Sequence, residues 1–268
     1  MCECENVQMF LRGIEPHCSK RLQQYIYQRP CSHDFCLQYC KTTMLLLKRL
    51  TSTSISALLL SCIVACSDAP KGDAANITEE QEVSSTAGDV YTVDTTKSRI
   101  RFTGNGVGKN HPGTFRLSSG SVSVANNQIT GGSFVINIKS MDLEQKGGMY
   151  DEKLHPHLMS GDFFDAEKFG TAKFEITKVE PFQPNSSDTS IVDGANFRVS
   201  GNFTLKDVTK NVTFPAKIDL DGTSLNAESN FDIDRTQWQM NYGNDKSLGD
   251  QFISEKVNIE LDLQAEKR

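Results

Sequence analysis

From Val90 onward, apolar residues return at every second position between short turn signals. Val212, Phe214, Ala216, Ile218 and Leu220 alternate with mostly polar neighbours, and Val257, Ile259, Leu261 and Leu263 do the same. Phe197, Val199, Gly201, Phe203 and Leu205 form a third series; Leu225, Ala227, Phe231 and Ile233 form a fourth, with a gap at Ser229. Successive side chains of an extended chain point to opposite faces, so this period marks strands with one buried face and one wet face. Gly104-Asn105-Gly106, Asn126-Asn127, Asp193-Gly194 and Asp221-Gly222 are predicted turns between them. A parallel sheet needs helical crossovers, and the pattern offers one candidate, about Asp142–Ser160, after a strand near Ser133–Ile138. About eight strands with short connections suit a closed barrel whose interior admits one ligand. The fold class predicted is therefore all-β: an eight-stranded antiparallel barrel with one short helical insertion.

All eight cysteines, Cys2, Cys4, Cys18, Cys31, Cys36, Cys40, Cys62 and Cys66, lie at or before position 66. The region beyond can hold neither a disulfide nor a catalytic thiol, so burial and hydrogen bonding must hold it together. That region carries a net charge of -9 out of the -6 for the whole chain, because the first 65 residues are basic. Such a body repels nucleic-acid phosphates and gains nothing from an anionic membrane surface. Any membrane attachment has to come from an anchor.

Residues 44–65 read as a leader. Lys48 and Arg49 precede a short apolar stretch from Ile55 to Ala65, too short to span a bilayer comfortably. Ile63-Val64-Ala65-Cys66 resembles a lipobox, which implies acylation of Cys66 and cleavage before it. Cys62, in the middle of the apolar stretch, is the weaker candidate. Met44 is the expected start, and residues 1–43 are read as an upstream extension, with cysteine and histidine spacings that match no regular zinc pattern. Residues 66–88, rich in Ser, Ala, Asp and Glu, are expected to be a flexible tether. The folded domain is then 89–268.

Chemistry-bearing groups in the body are sparse. Asp151 and His155 would share a face of the predicted helix, and His155 and His157 suggest a metal pair, but Pro156 between them should break that helix. Asp232, Asp234 and Arg235 read either as a charged constellation at a barrel mouth or, preferably, as a surface ion pair. Trp238 and Tyr242 follow, placed to sit over the opening. The chain has no Gly-x-Ser-x-Gly elbow, phosphate-cradling loop or dinucleotide fingerprint. The expectation is no enzyme, no catalytic residue, no cofactor and no metal.

Four segments in order resemble the YceI-like family of bacterial envelope proteins. They are Tyr91-Thr92-Val93-Asp94 with Ser98–Phe102; His111 with Gly113-Thr114-Phe115; Asp151–Ile176; and Gly201–Pro215 followed by Phe231–Gly243. The resemblance covers about 89–265. Gly170 stands where the family commonly has Pro, and Asp207 where it usually has Gly in a turn. The resemblance implies a lipocalin-like barrel that holds a polyisoprenoid or fatty-acid-like chain in its interior. Alternation and motif position then select Phe102, Phe115, Phe134, Phe174 and Phe203 as the wall. Phe163 and Phe164 of the Asp162–Asp165 turn fall on one rim, with Trp238 near the mouth. The expected partners are a long-chain apolar lipid and a membrane reached through Cys66, with a homodimer left open. The alternative is a structural or stress-related envelope protein whose core is filled; small residues opposite the phenylalanines would separate the two.

Overall fold

The computed structural model describes residues 70–268. The upstream extension, the leader and the acylation expected at Cys66 lie outside the described residues. Eleven strands follow in order: β1 (Asp73–Ala74), β2 (Asn76–Glu79), β3 (Asp89–Val93), β4 (Arg99–Gly106), β5 (Lys109–Ala125), β6 (Gln128–Leu143), β7 (Thr171–Pro181), β8 (Phe197–Leu205), β9 (Val208–Leu220), β10 (Ser224–Asp234) and β11 (Ile253–Lys267).

These strands close into an eight-position antiparallel barrel. β5 pairs with β6, β6 with β7, and so on around to β10 with β11. β3 and β4 fill the eighth position together, since both pair with β11 on one side and β5 on the other. A turn at 94–98 interrupts that position. Its carboxylate, Asp94, accepts from the Thr96 hydroxyl and from the Thr96 and Lys97 amides. The inward side chains of all eight positions make one core, from Tyr91 and Val93 to Ala265.

Several local expectations change. Gly104–Gly106 belongs to β4, and the turn is Val107-Gly108, where Gly108 takes φ +66°. The β8–β9 hairpin turns on Lys206-Asp207, both left-handed at φ 50° and 58°, so Asp207 adopts the conformation that glycine would supply more cheaply. The helical insertion is shorter than 142–160 because β6 runs on to Leu143, which pairs with Gly113. It consists of a π-turn, Tyr150–Leu154, leading into α1, His155–Met159. Pro156 sits in the first turn of α1, and the helical run passes from the π-turn through it, so it does not break the helix. Asp151 accepts from the Gly147 amide instead of facing His155.

The expected tether is the largest correction. β1 pairs in parallel with Phe231-Asp232 of β10, and β2 pairs antiparallel with Lys210–Thr213 of β9. Beyond them the chain crosses the outside of the barrel. Both ends of the Asn202 carboxamide bond the Gln81 backbone, and Ser84 bonds the Ile176 and Thr177 carbonyls. The Thr130 hydroxyl then donates to the Ala87 carbonyl. A register shift between β7 and β8 at Ile176/Lys178 frees the carbonyls that Ser84 takes. Residues 72–87 are a belt.

The two acidic turns have a pH consequence. Hydrogen bonds from Thr96 hold Asp94 well below the usual carboxylate range, and those from the Ser224 and Thr223 amides do the same for Asp221. A depressed native pKa stabilises the fold above the unfolded value of about 3.9, and that contribution is lost as pH falls through the lower native value. Side-chain carboxyl NMR is expected to find both aspartates still ionised at about pH 3. Ordinary titration of either one would show that its turn is not formed.

Candidate ligand-binding cavity

Alternation aims one side chain in two at the barrel axis, and the aromatic ones leave the axis open. A cavity of about 320 Å³ runs along it, from Val93, Leu225 and Ala265 at one end to Gly106, His111 and Arg235 at the other. That volume lies within the range of small-molecule pockets, about 300–1,000 Å³.

Glycine keeps the bore clear. The ring of Phe174 rests against Gly201 on the neighbouring strand: a Cβ there would come within 2.2 Å of its Cζ. Phe102 lies over Gly113 in the same way, at 2.7 Å. A side chain at either glycine would push the ring across the bore. These are the small residues that a tunnel needs opposite its phenylalanines. The rings form two runs. Phe164, Phe115 and Phe102 are linked at 5.4 and 4.9 Å between centroids. Phe134, Phe174, Phe214 and Phe231 follow one another at 6.3, 5.9 and 4.0 Å, the last pair stacked.

Seven of the eight residues selected from the sequence line this cavity: Phe102, Phe115, Phe134, Phe163, Phe164, Phe174 and Phe203. Trp238 does not. Its side chain is fully buried in the core; its indole N–H donates to the Phe203 carbonyl, and its ring meets Phe203 edge-on at 5.2 Å. Buried tryptophan takes a hydrogen-bond acceptor, and here that acceptor is a strand carbonyl. Tyr242 is the exposed aromatic at that end, 4.6 Å from His157. Sequence reasoning left out Phe214 and Phe231, though the alternation of β9 and β10 carries both inward.

The polar groups that line the bore are few, and the ones at its helical end fix the loops. Arg235 is buried, forms no ion pair among the described residues, and donates to the carbonyls of Ser254, Met240, Tyr242 and Ile253. The surface ion pair expected of it is absent because Asp234 caps the following turn through Thr236, and Asp232 bonds Gly72 and Asn258. Burial lowers the guanidinium pKa, but four carbonyls solvate the charge. His157 reaches Asp162 at 3.0 Å, and His111 reaches Gln145 at 3.0 Å. Among the described residues no three His, Cys, Asp or Glu side chains gather as a metal site. Asn105 also lines the bore; its Oδ1 is buried and has no hydrogen-bond partner.

Comparison with known proteins agrees with this architecture. The family model described as the YceI-like domain matches residues 91–265. Two Vibrio vulnificus proteins, both described as UPF0312 proteins, are 32% identical over 105 residues, which is 39% of this chain. The chain spans about half the length of these curated relatives, 48%. Burkholderia cenocepacia BcnA superposes with a TM-score of 0.50 at 22% identity, over 65% of this chain and 99% of that one. A polyisoprenoid binding domain from Saccharophagus degradans gives a TM-score of 0.48 at 17% identity, over 66% and 98%.

Proposed function

The chain belongs to the YceI-like domain family, and from that premise we propose that it binds a long apolar lipid, polyisoprenoid or fatty-acid-like, in its bore, without catalysing a reaction. The carrying observation is the cavity itself: a bore walled along its length by aliphatic and aromatic side chains. An apolar chain gains about 0.8 kcal/mol for each methylene it buries there. Around a dozen methylenes therefore offset the entropic cost of capture. A filled core, the structural alternative, would leave no open bore of this volume.

The test is saturable uptake. Protein stripped of lipid is titrated with an anthracene-tagged palmitic acid and with a long-chain polyprenol. Saturation at one site per barrel is expected; no saturable binding with the fold intact would overturn the reading.

We place the protein in the cell envelope, tethered to a membrane by an acylated Cys66 and facing the periplasm or cell surface. The support is the sequence from Met44 to Cys66. Cys66→Ser is expected to move the protein from the membrane to the soluble fraction, because two or more acyl chains are what make anchoring stable. Unchanged fractionation would rule the anchor out.

A further inference from the structure

The belt seals the weakest seam of the barrel wall. β9 and β10 pair directly only over Lys217–Leu220 and Leu225–Glu228. Pro215 then removes a donor from the ladder, and the Ser229 hydroxyl bonds its carbonyl instead. Past that point the strands part. Residues 73–79 lie between them, bonded to β10 through Asp73-Ala74 and to β9 through Asn76–Glu79. Only Ala75 and Ile77 of this stretch pack against the core, and most of residues 78–87 is exposed. On the cavity side, the wall it spans is Val212, Phe214, Phe231 and Ile233.

The wall is also shaped to receive this segment. Asn202 and Asn211 are cross-strand partners on the barrel's outer side, and both are buried. Asn211 bonds Asn202 and Thr177, which leaves the Asn202 carboxamide free to take the Gln81 amide and carbonyl together. Gly72 sits where a Cβ would come within 2.6 Å of the Phe231 backbone. The belt lies upstream of the region matched by the family model, which begins at residue 91.

We infer that the belt is a side gate: release of residues 72–81 opens a slot between β9 and β10 through which the lipid enters and leaves the bore. Neighbouring strands lie about 4.8 Å apart, so withdrawing one leaves roughly 10 Å between backbones, room for one extended hydrocarbon chain. Short pairing and high exposure lower the cost of opening this segment locally. With Cys66 anchored as proposed above, residues 67–71 keep Gly72 within about 22 Å of the acylated cysteine. The slot therefore stays close to the bilayer that supplies the lipid.

The inference rests on the lipid-binding reading, and the experiment separates the two. Glu79 and Lys210 are register partners joined by an ion pair of 2.7 Å on the outer face. In the full chain, E79C/K210C is loaded with anthracene-tagged palmitic acid, and its release to excess unlabelled palmitate is followed, oxidised and reduced. The single variants E79C and K210C under the same oxidant control for the upstream cysteines. Oxidation of the pair is expected to slow release at least tenfold, with full recovery on reduction and unchanged stoichiometry. Asn202→Ala, which loosens the belt without touching the bore, is expected to speed release about tenfold. Equal release from oxidised and reduced protein, or no acceleration in Asn202→Ala, would overturn the gate while leaving the lipid reading intact. No uptake by any form would instead overturn the lipid reading.

Discussion

Replacing Ala216 with Phe is expected to weaken lipid binding about a hundredfold while leaving the barrel folded and at least as stable. Ala216 is buried on β9 and lines the bore. A phenyl ring there fills space that a ligand would take. Excluding about four methylenes at about 0.8 kcal/mol each removes ~3 kcal/mol, roughly a hundredfold in affinity. The stability change has the opposite sign. Filling a void commonly adds about 0.5–2 kcal/mol, whereas forcing a ring into a packed core costs about 1–3 kcal/mol. The melting temperature and the binding isotherm of one variant therefore discriminate a lipid-holding bore from a filled core. A destabilised Ala216→Phe barrel would mean that the axis is already occupied by protein.

Arg235→Met is expected to be strongly destabilising. It removes the group that joins four carbonyls from three stretches: Met240, Tyr242, and Ser254 with its neighbour Ile253. Hydrogen bonds to a charged group contribute about 1.5–3 kcal/mol each, and the bond to the Met240 carbonyl is buried, so its loss leaves that carbonyl without a partner. A loss of at least ~3 kcal/mol corresponds to a fall of roughly 6–12 °C in melting temperature for a domain of this size. Lysine does not rescue it, because a single ammonium cannot reproduce the planar fork. The lipid affinity of any surviving folded fraction is expected to drop as well, since the loop from Arg235 to Ile253 forms part of the bore's helical end. A melting temperature within about 2 °C of the parent would show that water or the loop itself satisfies those carbonyls.

The barrel was legible because its signal is a period. On β9, the alternation of Val212, Phe214, Ala216 and Ile218 depends only on which residues are apolar, and all four point into the bore. The phenylalanines that line the cavity follow from the same parity. What stayed hidden depends on distant partners. Residues 72–87 read as a solvated linker because they carry few large apolar groups. They are ordered by an asparagine more than a hundred positions away, Asn202, and by a bulge in β7 that composition does not announce. Lys206-Asp207 turns a hairpin without glycine, so the usual turn signal is missing there. Trp238 looked like a mouth residue because it follows a charged cluster. Its indole N–H instead bonds the Phe203 carbonyl and its ring packs into the core, a choice that sequence spacing cannot express.

Native mass spectrometry of the protein purified from a bacterial envelope, before and after organic extraction, tests lipid carriage most directly. The expected result is a single adduct of a few hundred daltons per barrel that disappears on extraction or unfolding. It should return when a long-chain prenol or fatty acid is added back, and need about a hundredfold more ligand to return in Ala216→Phe. A bare polypeptide mass before extraction, together with no uptake of any added apolar chain by the folded protein, would contradict it.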